Sequence, residues 1–265
     1  MKKLSLSIVL LSVVFVSFAQ DSTLTKKHNN SRKEARKEKV SALIKQAEEG
    51  VLVYKKQSIF GIQFRTNGYG AFYEIGRMKT NRKTTIFRID LNDTKSLKEE
   101  KSFSNSFFGN SFIYGKINHF YPLTLGIGQQ YMLGQKGNKN GVAVSAVYNA
   151  GIAIGLLRPY YIEIRDTQGD RFIKYSVQDS SAFVNGPFVG GGGITKGWGE
   201  TKIKPGVFAK AAMRFDYGRF NETVSAIEAG ISVELYSSKI PIMLYEKQKS
   251  LFFQGYIAIV LGRRR

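Results

Sequence analysis

In two neighbouring segments of this sequence, charged side chains lie an even number of positions apart and are interleaved with apolar residues. Lys210, Arg214 and Asp216 alternate with apolar residues in the first segment, and Glu228 and Glu234 do so in the second. Because successive side chains of an extended strand point to opposite faces, each charged set shares one face of its strand. Charges of both signs that face a shielded space pair with one another, or they line a path for ions or protons.

The segments that carry these charges have the length and the alternation of strands. The pattern starts near Gln57 and predicts about ten strands, and counts from eight to twelve fit it. A tilted strand of roughly 9–11 residues crosses a bilayer. The strands are expected at Ser58–Thr66, Tyr69–Arg77, Thr84–Leu91, Phe112–Phe120, Pro122–Leu133, Gly141–Asn149, Gly151–Arg165, Pro205–Tyr217, Thr223–Tyr236 and Leu251–Gly262.

The apolar face of these strands needs an apolar environment, which a lipid bilayer supplies. After residue 19 the sequence has no run of roughly 18 or more apolar residues, the length of a membrane helix. Only a closed sheet satisfies every backbone polar group of strands in lipid. The sequence therefore predicts an all-β fold: a transmembrane antiparallel up-and-down β-barrel of about ten strands, with a short N-terminal amphipathic helix. A soluble periplasmic β-sandwich and a secreted β protein are the alternatives.

A barrel of this size has little free space inside, because side chains nearly fill the interior of eight to ten strands. The charged residues predicted to face the lumen would then form a salt-bridge network, with Lys210 and Arg214 opposite Glu228 and Glu234. A narrow polar channel or a proton path would use the same residues and stays open as the alternative. The predicted lumenal set is Arg65, Glu74, Arg88, Asp90, Lys116, Glu163, Arg165, Lys210, Arg214, Asp216, Glu228 and Glu234.

The lengths of the links predict an orientation, with long links outside the cell and short ones in the periplasm. Counted from a periplasmic start, this places His119 at the periplasmic end. The apolar stretch Lys239–Tyr245 fits either a surface contact patch or a loop folded onto the rim. The outer links are expected at Asn92–Ser111, Lys136–Asn140, Asp166–Lys204 and Ser237–Ser250, and the inner ones at Thr80–Lys83, Tyr121–Pro122, Asn149–Ala150 and Gly218–Glu222.

The first residues indicate export. Lys2 and Lys3 precede an apolar run that ends in a small-x-small site at residues 17–19, which is typical of a secretory signal peptide. We therefore expect a signal peptide at 1–19, a periplasmic segment at 20–56 and the barrel at 57–265. Within the periplasmic segment, residues 31–49 have the capping box and the apolar spacing of a short amphipathic helix. That helix covers the barrel mouth, docks a partner or is simply solvated.

The sequence is strongly basic and contains no cysteine. Loss of Lys2 and Lys3 with the signal peptide lowers the formal net charge from +20 to +18. The basic residues are spread along the chain, which disfavours nucleic acid as a partner. Outer-membrane lipid and lipopolysaccharide, or plain solvation of the loops, explain the charge equally well. Without cysteine there are no disulfides, and with two histidines we expect neither a transition-metal site nor any other cofactor.

Few residues are candidates for catalysis. His119 is the one credible general base, and it would serve a lipid-modifying hydrolase at the rim of the barrel. No serine stands in a G-x-S-x-G context. We therefore expect no enzymatic activity and interpret His119 as a structural residue near the membrane interface.

The export signal, the period-two strands and the closing run Leu251–Gly262 together resemble the small bacterial outer-membrane β-barrel proteins, which include OmpA/OmpX-type and PorT-like barrels. The resemblance spans about residues 57–262 and rests on the pattern. It implies residence in the outer membrane of a Gram-negative bacterium and insertion by the outer-membrane assembly machinery, which reads the last strand. Many such barrels end in an aromatic residue, whereas this sequence ends in Arg263–Arg265, so that signal is altered or lies further in.

The expected role is that of a non-enzymatic outer-membrane barrel, a structural or accessory subunit of a cell-envelope complex. A protein partner in that complex would bind the N-terminal helix or the link at 237–250. A narrow pore for small solutes or ions and a lipid-modifying enzyme are the alternative functions.

Overall fold

The computed structural model describes residues 54–102, 111–137, 140–166, 169–219 and 222–265, together with Glu34, Lys37, Glu38 and Ser41. The signal peptide expected at 1–19 lies outside the described residues, as does most of the helix expected at 31–49. The four described residues of that segment are helical, and the Ser41 hydroxyl donates to the Glu38 carbonyl at 2.9 Å. The extent of this helix and the boundaries of the three predicted segments stay predictions.

Between Tyr54 and Arg265 the chain is built mainly of strands. No helix in the described ranges is long and apolar enough to cross a membrane. In chain order the elements are β1 (Lys56–Arg65), β2 (Gly68–Thr80), β3 (Lys83–Thr94), β4 (Lys101–Ser102), β5 (Phe112–Ile113), β6 (Asn118–Gly134), β7 (Ala143–Pro159), β8 (Tyr161–Asp166), β9 (Gly169–Lys174), α1 (Ser180–Asn185), β10 (Phe188–Gly191), a 3₁₀ turn (Trp198–Glu200), β11 (Lys202–Asp216), β12 (Thr223–Ile240) and β13 (Lys249–Arg264).

Eight long strands close into an antiparallel barrel in the order β1-β13-β12-β11-β7-β6-β3-β2. The seam between β1 and β13 is paired from Gln57–Arg264 to Arg65–Tyr256, so the sheet has no free edge there. Large apolar side chains from every barrel strand are exposed on the outer surface: Ile62, Ile75, Phe87, Ile127, Ile152, Val207, Ile231 and Ile257. The up-and-down barrel with an apolar outer belt and a charged interior is confirmed.

The barrel has eight strands rather than ten because two pairs of predicted strands merge. The segment predicted at Phe112–Phe120 divides between short β5 and the start of β6. The predicted turn at Asn149–Ala150 lies inside β7, where Asn149 is buried and faces the lumen. The predicted turn at Tyr121–Pro122 likewise lies within β6. Polar or turn-forming residues here occupy the inner face of a continuous strand.

Because the barrel has eight strands rather than ten, two features lie at the opposite end of the barrel from the one predicted. Both ends of the barrel chain, near Lys56 and Arg264, lie at one end of the barrel with the described residues of the links 81–82, 135–142 and 217–222. We call this the turn end. The opposite end, which we call the loop end, carries the described residues of the links 66–67, 95–117, 160–201 and 241–248. The described residues of the predicted outer link Lys136–Asn140 therefore belong to the turn end, and His119, at the start of β6, lies at the loop end.

The longest link carries a small folded unit outside the barrel sheet. Strands β10, β8 and β9 form a three-stranded sheet in that order. Ile162 and Ile164 of β8 pack with Ile173 of β9 and with Phe183 of α1 in a separate apolar cluster. Residues 161–165, predicted as the end of a wall strand, therefore belong to a sheet separate from the barrel.

Residues 241–244 fold across the loop end of the lumen. The Ile117 amide donates to the Ile242 carbonyl, and the Leu244 amide to the Gly115 carbonyl, each at 2.8 Å. Ile240, Ile242 and Met243 are buried against the inner wall. The apolar stretch at 239–245 therefore includes a loop folded onto the rim, from which the Tyr245 side chain is exposed.

Candidate functional site

The centre of the barrel is a charge-balanced ionic network. Four cations and four carboxylates meet there from opposite parts of the chain, and none is more than 8% exposed. Each cation lies in an ion pair with at least one of the carboxylates. The members of this central network are Arg65, Arg88, Lys210, Arg214, Glu74, Asp90, Glu228 and Glu234.

Arg214 of β11 links two carboxylates from different walls. Its Nη1 and Nη2 donate to the two oxygens of Glu74 at 2.9 and 2.8 Å. Its Nε and Nη2 donate to Glu228 Oε2 at 2.8 and 2.6 Å. The planar guanidinium suits this forked arrangement, because it offers five donors in fixed directions. Both carboxylates are fully buried, so the pairing takes place away from solvent.

Arg88 of β3 extends the network on the other side of Glu228. Its Nη1 donates to Glu228 Oε1 at 2.7 Å, and its Nε donates to Asp90 Oδ1 at 3.2 Å. The guanidinium carbon lies 3.4 Å from the centre of the Phe72 ring, a cation–π contact that covers a further face. The Tyr256 hydroxyl donates to the same Glu228 oxygen at 2.7 Å.

Lys210 and Asp90 form the next layer toward the loop end. The Lys210 ammonium donates to Asp90 Oδ1 at 2.7 Å and to Gln63 Oε1 at 3.3 Å. The Gln63 amide nitrogen donates to Asp90 at 3.2 Å, and the Thr124 hydroxyl donates to it at 3.3 Å. Asp90 therefore has both oxygens occupied, as a buried carboxylate requires.

The last ion pair is followed by an apolar layer. Arg65 donates to Glu234 and, at 3.1 Å, to the Ser232 hydroxyl, while the Tyr236 hydroxyl donates to Glu234 at 2.9 Å. Above this pair Tyr236 joins a cluster of buried apolar residues that includes the folded-in loop: Phe120, Ala153, Leu157, Phe208, Tyr236, Ile240, Ile242, Met243 and Phe252. The lumen is thus covered at the loop end by side chains that offer no partner to a hydrated ion.

A separate ionic cluster lies at the turn end. Asp216 accepts from Arg264 at 2.6 Å and lies 3.6 Å from the Lys136 ammonium. Arg264 also lies over the Tyr54 ring at 5.0 Å from its centre. Asp216, one of the predicted lumenal residues, is therefore inside the barrel but outside the central network.

Three of the predicted lumenal residues are not in the lumen. Lys116 lies in the link before β6 at the loop end, where it is buried and donates to Glu99 at 2.7 Å. Burial lowers the pKa of Lys116, although the neighbouring Glu99 opposes this shift. Glu163 and Arg165 belong to β8 in the small outer sheet, and Arg165 pairs with Asp170 in solvent at 2.9 Å. Alternation by itself does not reveal which sheet a strand joins.

The network also uses neutral residues that a search for charge overlooks. Gln57 donates to Gln130 at 2.9 Å, and Gln130 donates to Ser145 at 3.0 Å, which fills the space below Arg214. Tyr256 was likewise missed. Their positions on the inner face follow the same period of two, so that face could have identified them. The basic residue Arg264 was seen only as part of the closing arginines.

His119 has aromatic rather than catalytic surroundings. Its ring stacks on Tyr121 with centres 5.9 Å apart and meets the edge of Tyr160 at 5.3 Å. Next to it, Arg158 donates to the Tyr121 hydroxyl at 3.3 Å and lies 4.8 Å from the centre of the Trp198 ring. These contacts fasten the 3₁₀ turn of the longest link to the outside of the barrel wall.

The interior is a packed ionic core rather than a ligand pocket. Glu74, Asp90 and Glu228, which lie at its centre, are fully inaccessible to solvent. Among the residues that the structure describes, no group of three or more His, Asp or Glu side chains is arranged to hold a metal ion. The chemistry of this arrangement is pairing of charge.

The closed barrel, its exposed apolar belt and its paired interior decide the class of the protein. Lipid is the environment that matches such a belt, and closure leaves no backbone group of the wall unpaired. The protein is a transmembrane β-barrel of the bacterial outer-membrane type. It therefore resides in the outer membrane of a Gram-negative cell.

Comparison with known proteins finds structural neighbours only. No protein-family model matches the sequence, and no curated protein matches it. Ail, the attachment invasion locus protein of Yersinia pestis, solved with the heparin analogue sucrose octasulfate, is 12% identical with a TM-score of 0.40, and the match covers 80% of this chain and 100% of that one.

Two further neighbours are similar at a lower level. Neisserial surface protein A is 9% identical with a TM-score of 0.36, over 79% of this chain and 96% of that one. The N-terminal β-barrel domain of Pseudomonas aeruginosa OprF is 8% identical with a TM-score of 0.34, over 78% and 98%.

Proposed function

We propose that this protein is a non-enzymatic, non-conducting outer-membrane barrel that serves as a structural or accessory subunit of a cell-envelope complex. The observation that carries the proposal is the buried, charge-balanced interior. Four buried cations meet four buried carboxylates, and the apolar layer around Phe120 and Met243 covers them. A lumen of this kind stabilises the wall and offers nothing to a passing solute, so the function rests on the surfaces of the barrel.

The loop end is the surface of the barrel best suited to bind a partner. The outer sheet has its own apolar core, and the contacts of Arg158 with Trp198 hold its link against the barrel. Tyr245 in the last link is 65% exposed and stacks on Tyr114 with ring centres 6.3 Å apart, which leaves an aromatic surface available to a partner. We assign protein contacts to these loops and to the N-terminal segment. We assign lipopolysaccharide contacts to the loop end. Insertion is assigned to the assembly machinery, which would act on β13.

The test is conductance of the purified, folded barrel in a planar bilayer. Folding is first verified by a gel on which the unboiled band migrates differently from the boiled band. We expect no discrete current steps under conditions in which a porin reconstituted in parallel conducts. Discrete steps from the wild-type protein would reject the sealed lumen and favour the narrow-pore alternative. Hydrolysis of outer-membrane lipid that is lost in His119→Ala would reject the non-enzymatic role.

A further inference from the structure

At the turn end of the barrel, exposed cations far outnumber exposed carboxylates. Among the described residues of this end, nine cationic side chains are exposed: Lys55, Lys56, Arg77, Lys79, Arg82, Lys83, Arg219, Arg263 and Arg265. Glu222 is the single exposed carboxylate there, since Asp216 is buried with Arg264. The described part of the loop end, by contrast, mixes its cations with carboxylates such as Glu99, Glu200 and Glu246.

Part of this charge borders a recess on the seam between β1 and β13. The recess measures about 630 Å³ and is lined on one side by apolar side chains that include Phe60, Ile75 and Leu261. Its other side is formed by the cations Lys56, Arg263 and Arg265. The backbone holds these groups together, because the amides of Lys55 and Lys56 both donate to the Arg265 carbonyl at 2.8 Å.

The cations at the recess repel one another. Lys56 lies directly opposite Arg77 in the pairing of β1 with β2, a like-charge pair that destabilises a sheet. No carboxylate within the described ranges forms an ion pair with Lys56, Arg77 or Arg263. A bound anion would remove this repulsion. The apolar side of the recess continues into the outer belt, so the anion that fits best is attached to a hydrocarbon chain.

We propose that this recess binds an anionic diacyl phospholipid of the leaflet at the turn end. The phosphate lies among Lys56, Arg263 and Arg265, and an acyl chain lies along Phe60, Ile75 and Leu261. Attraction of anionic lipid to basic side chains next to a membrane surface has this electrostatic origin. The site goes beyond the proposed structural role and does not depend on whether the lumen conducts.

The experiment counts lipids bound to the folded, full-length protein by native mass spectrometry. The protein in neutral detergent is mixed with equal amounts of phosphatidylglycerol and phosphatidylcholine. We expect phosphatidylglycerol to be retained in preference, and inorganic phosphate alone not to displace it. In K56Q/R263Q the preference should fall by about fivefold for each cation removed, or about 25-fold for the pair.

Two further variants make the result decisive. K239Q/K247Q removes two exposed loop-end cations and should leave the preference unchanged. Ser58→Glu places a carboxylate directly opposite Arg263 and should abolish the preference without removing a cation. Folding of each variant is checked by heat-modifiability on a gel. Equal retention of both lipids, unchanged preference in folded S58E, or an equal loss in K239Q/K247Q would overturn the proposal.

Discussion

Replacement of Arg214 by methionine tests the ionic interior most directly. Methionine keeps the length of the side chain but removes every hydrogen bond that Arg214 donates to Glu74 and Glu228. Three cations would then face four carboxylates, all buried. Glu228 keeps Arg88 and Tyr256, each at 2.7 Å, whereas Glu74 keeps only Gln57 at 3.4 Å and Arg88 at 3.6 Å. The uncompensated charge therefore falls on Glu74.

Removal of one partner from a buried ion pair costs about 3–5 kcal/mol, because the other charge stays buried. We expect R214M to lose this amount of unfolding free energy. The assay is the fraction of folded, heat-modifiable barrel in lipid vesicles across a urea series. E74Q in the R214M background restores three cations against three carboxylates and should recover about 0.5–3 kcal/mol. Arg219→Met, an exposed change at the turn end, should stay within about 0.5 kcal/mol of wild type.

A result in which R214M unfolds at the same urea concentration as wild type would refute this reasoning. It would mean that water reaches Glu74 and screens its charge, and that the interior is wet. Loss of stability in R214M with no recovery in R214M/E74Q would mean that packing rather than charge balance is responsible.

Three further predictions follow from the wall and the loop end. Ile231→Arg should block membrane insertion, because a lipid-facing arginine costs about 2–4 kcal/mol near the midplane. The control Ile194→Arg, at the exposed loop end, should insert normally in the same vesicle assay. Gly61→Val should lower the urea midpoint, since a Cβ there overlaps the Phe72 ring beneath Arg88, whereas Gly255→Ala meets only an ordinary contact and should leave the midpoint unchanged. Arg158→Gln should increase acrylamide quenching of the only tryptophan without altering heat-modifiability, and unaltered quenching would contradict the role assigned to that arginine.

The inner face of the barrel could be predicted from the sequence because it depends on a local period of two. Arg65, Glu74 and Arg88 alternate with apolar residues on their own strands, and those strands all join the barrel. The partners across the lumen could not be predicted. Arg65 meets Glu234 across 169 positions of sequence, and only the closed register brings them together.

The errors have a common physical cause. Asparagine is common in turns, which is why a turn was predicted at Asn149. In a barrel, however, a polar residue within a strand can face the lumen, as Asn149 does. Glu163 and Arg165 alternate as well as any wall strand does, but β8 buries its apolar face against Phe183 in the outer sheet. An alternating pattern predicts which residues share one face of a strand. It does not predict whether lipid, the lumen or another part of the protein covers that face.

The span of the ion pairs in sequence also constrains the order in which the barrel assembles. Arg65, Glu74, Arg88 and Asp90 come from β1–β3, whereas their cross-lumen partners come from β11 and β12. A sheet that contained only the early hairpins would carry these charges into hydrocarbon without the later strands, at a high desolvation cost. Penetration of the bilayer and pairing of β1 with β13 are therefore expected to occur as one cooperative event, and a truncated chain should remain at the membrane surface.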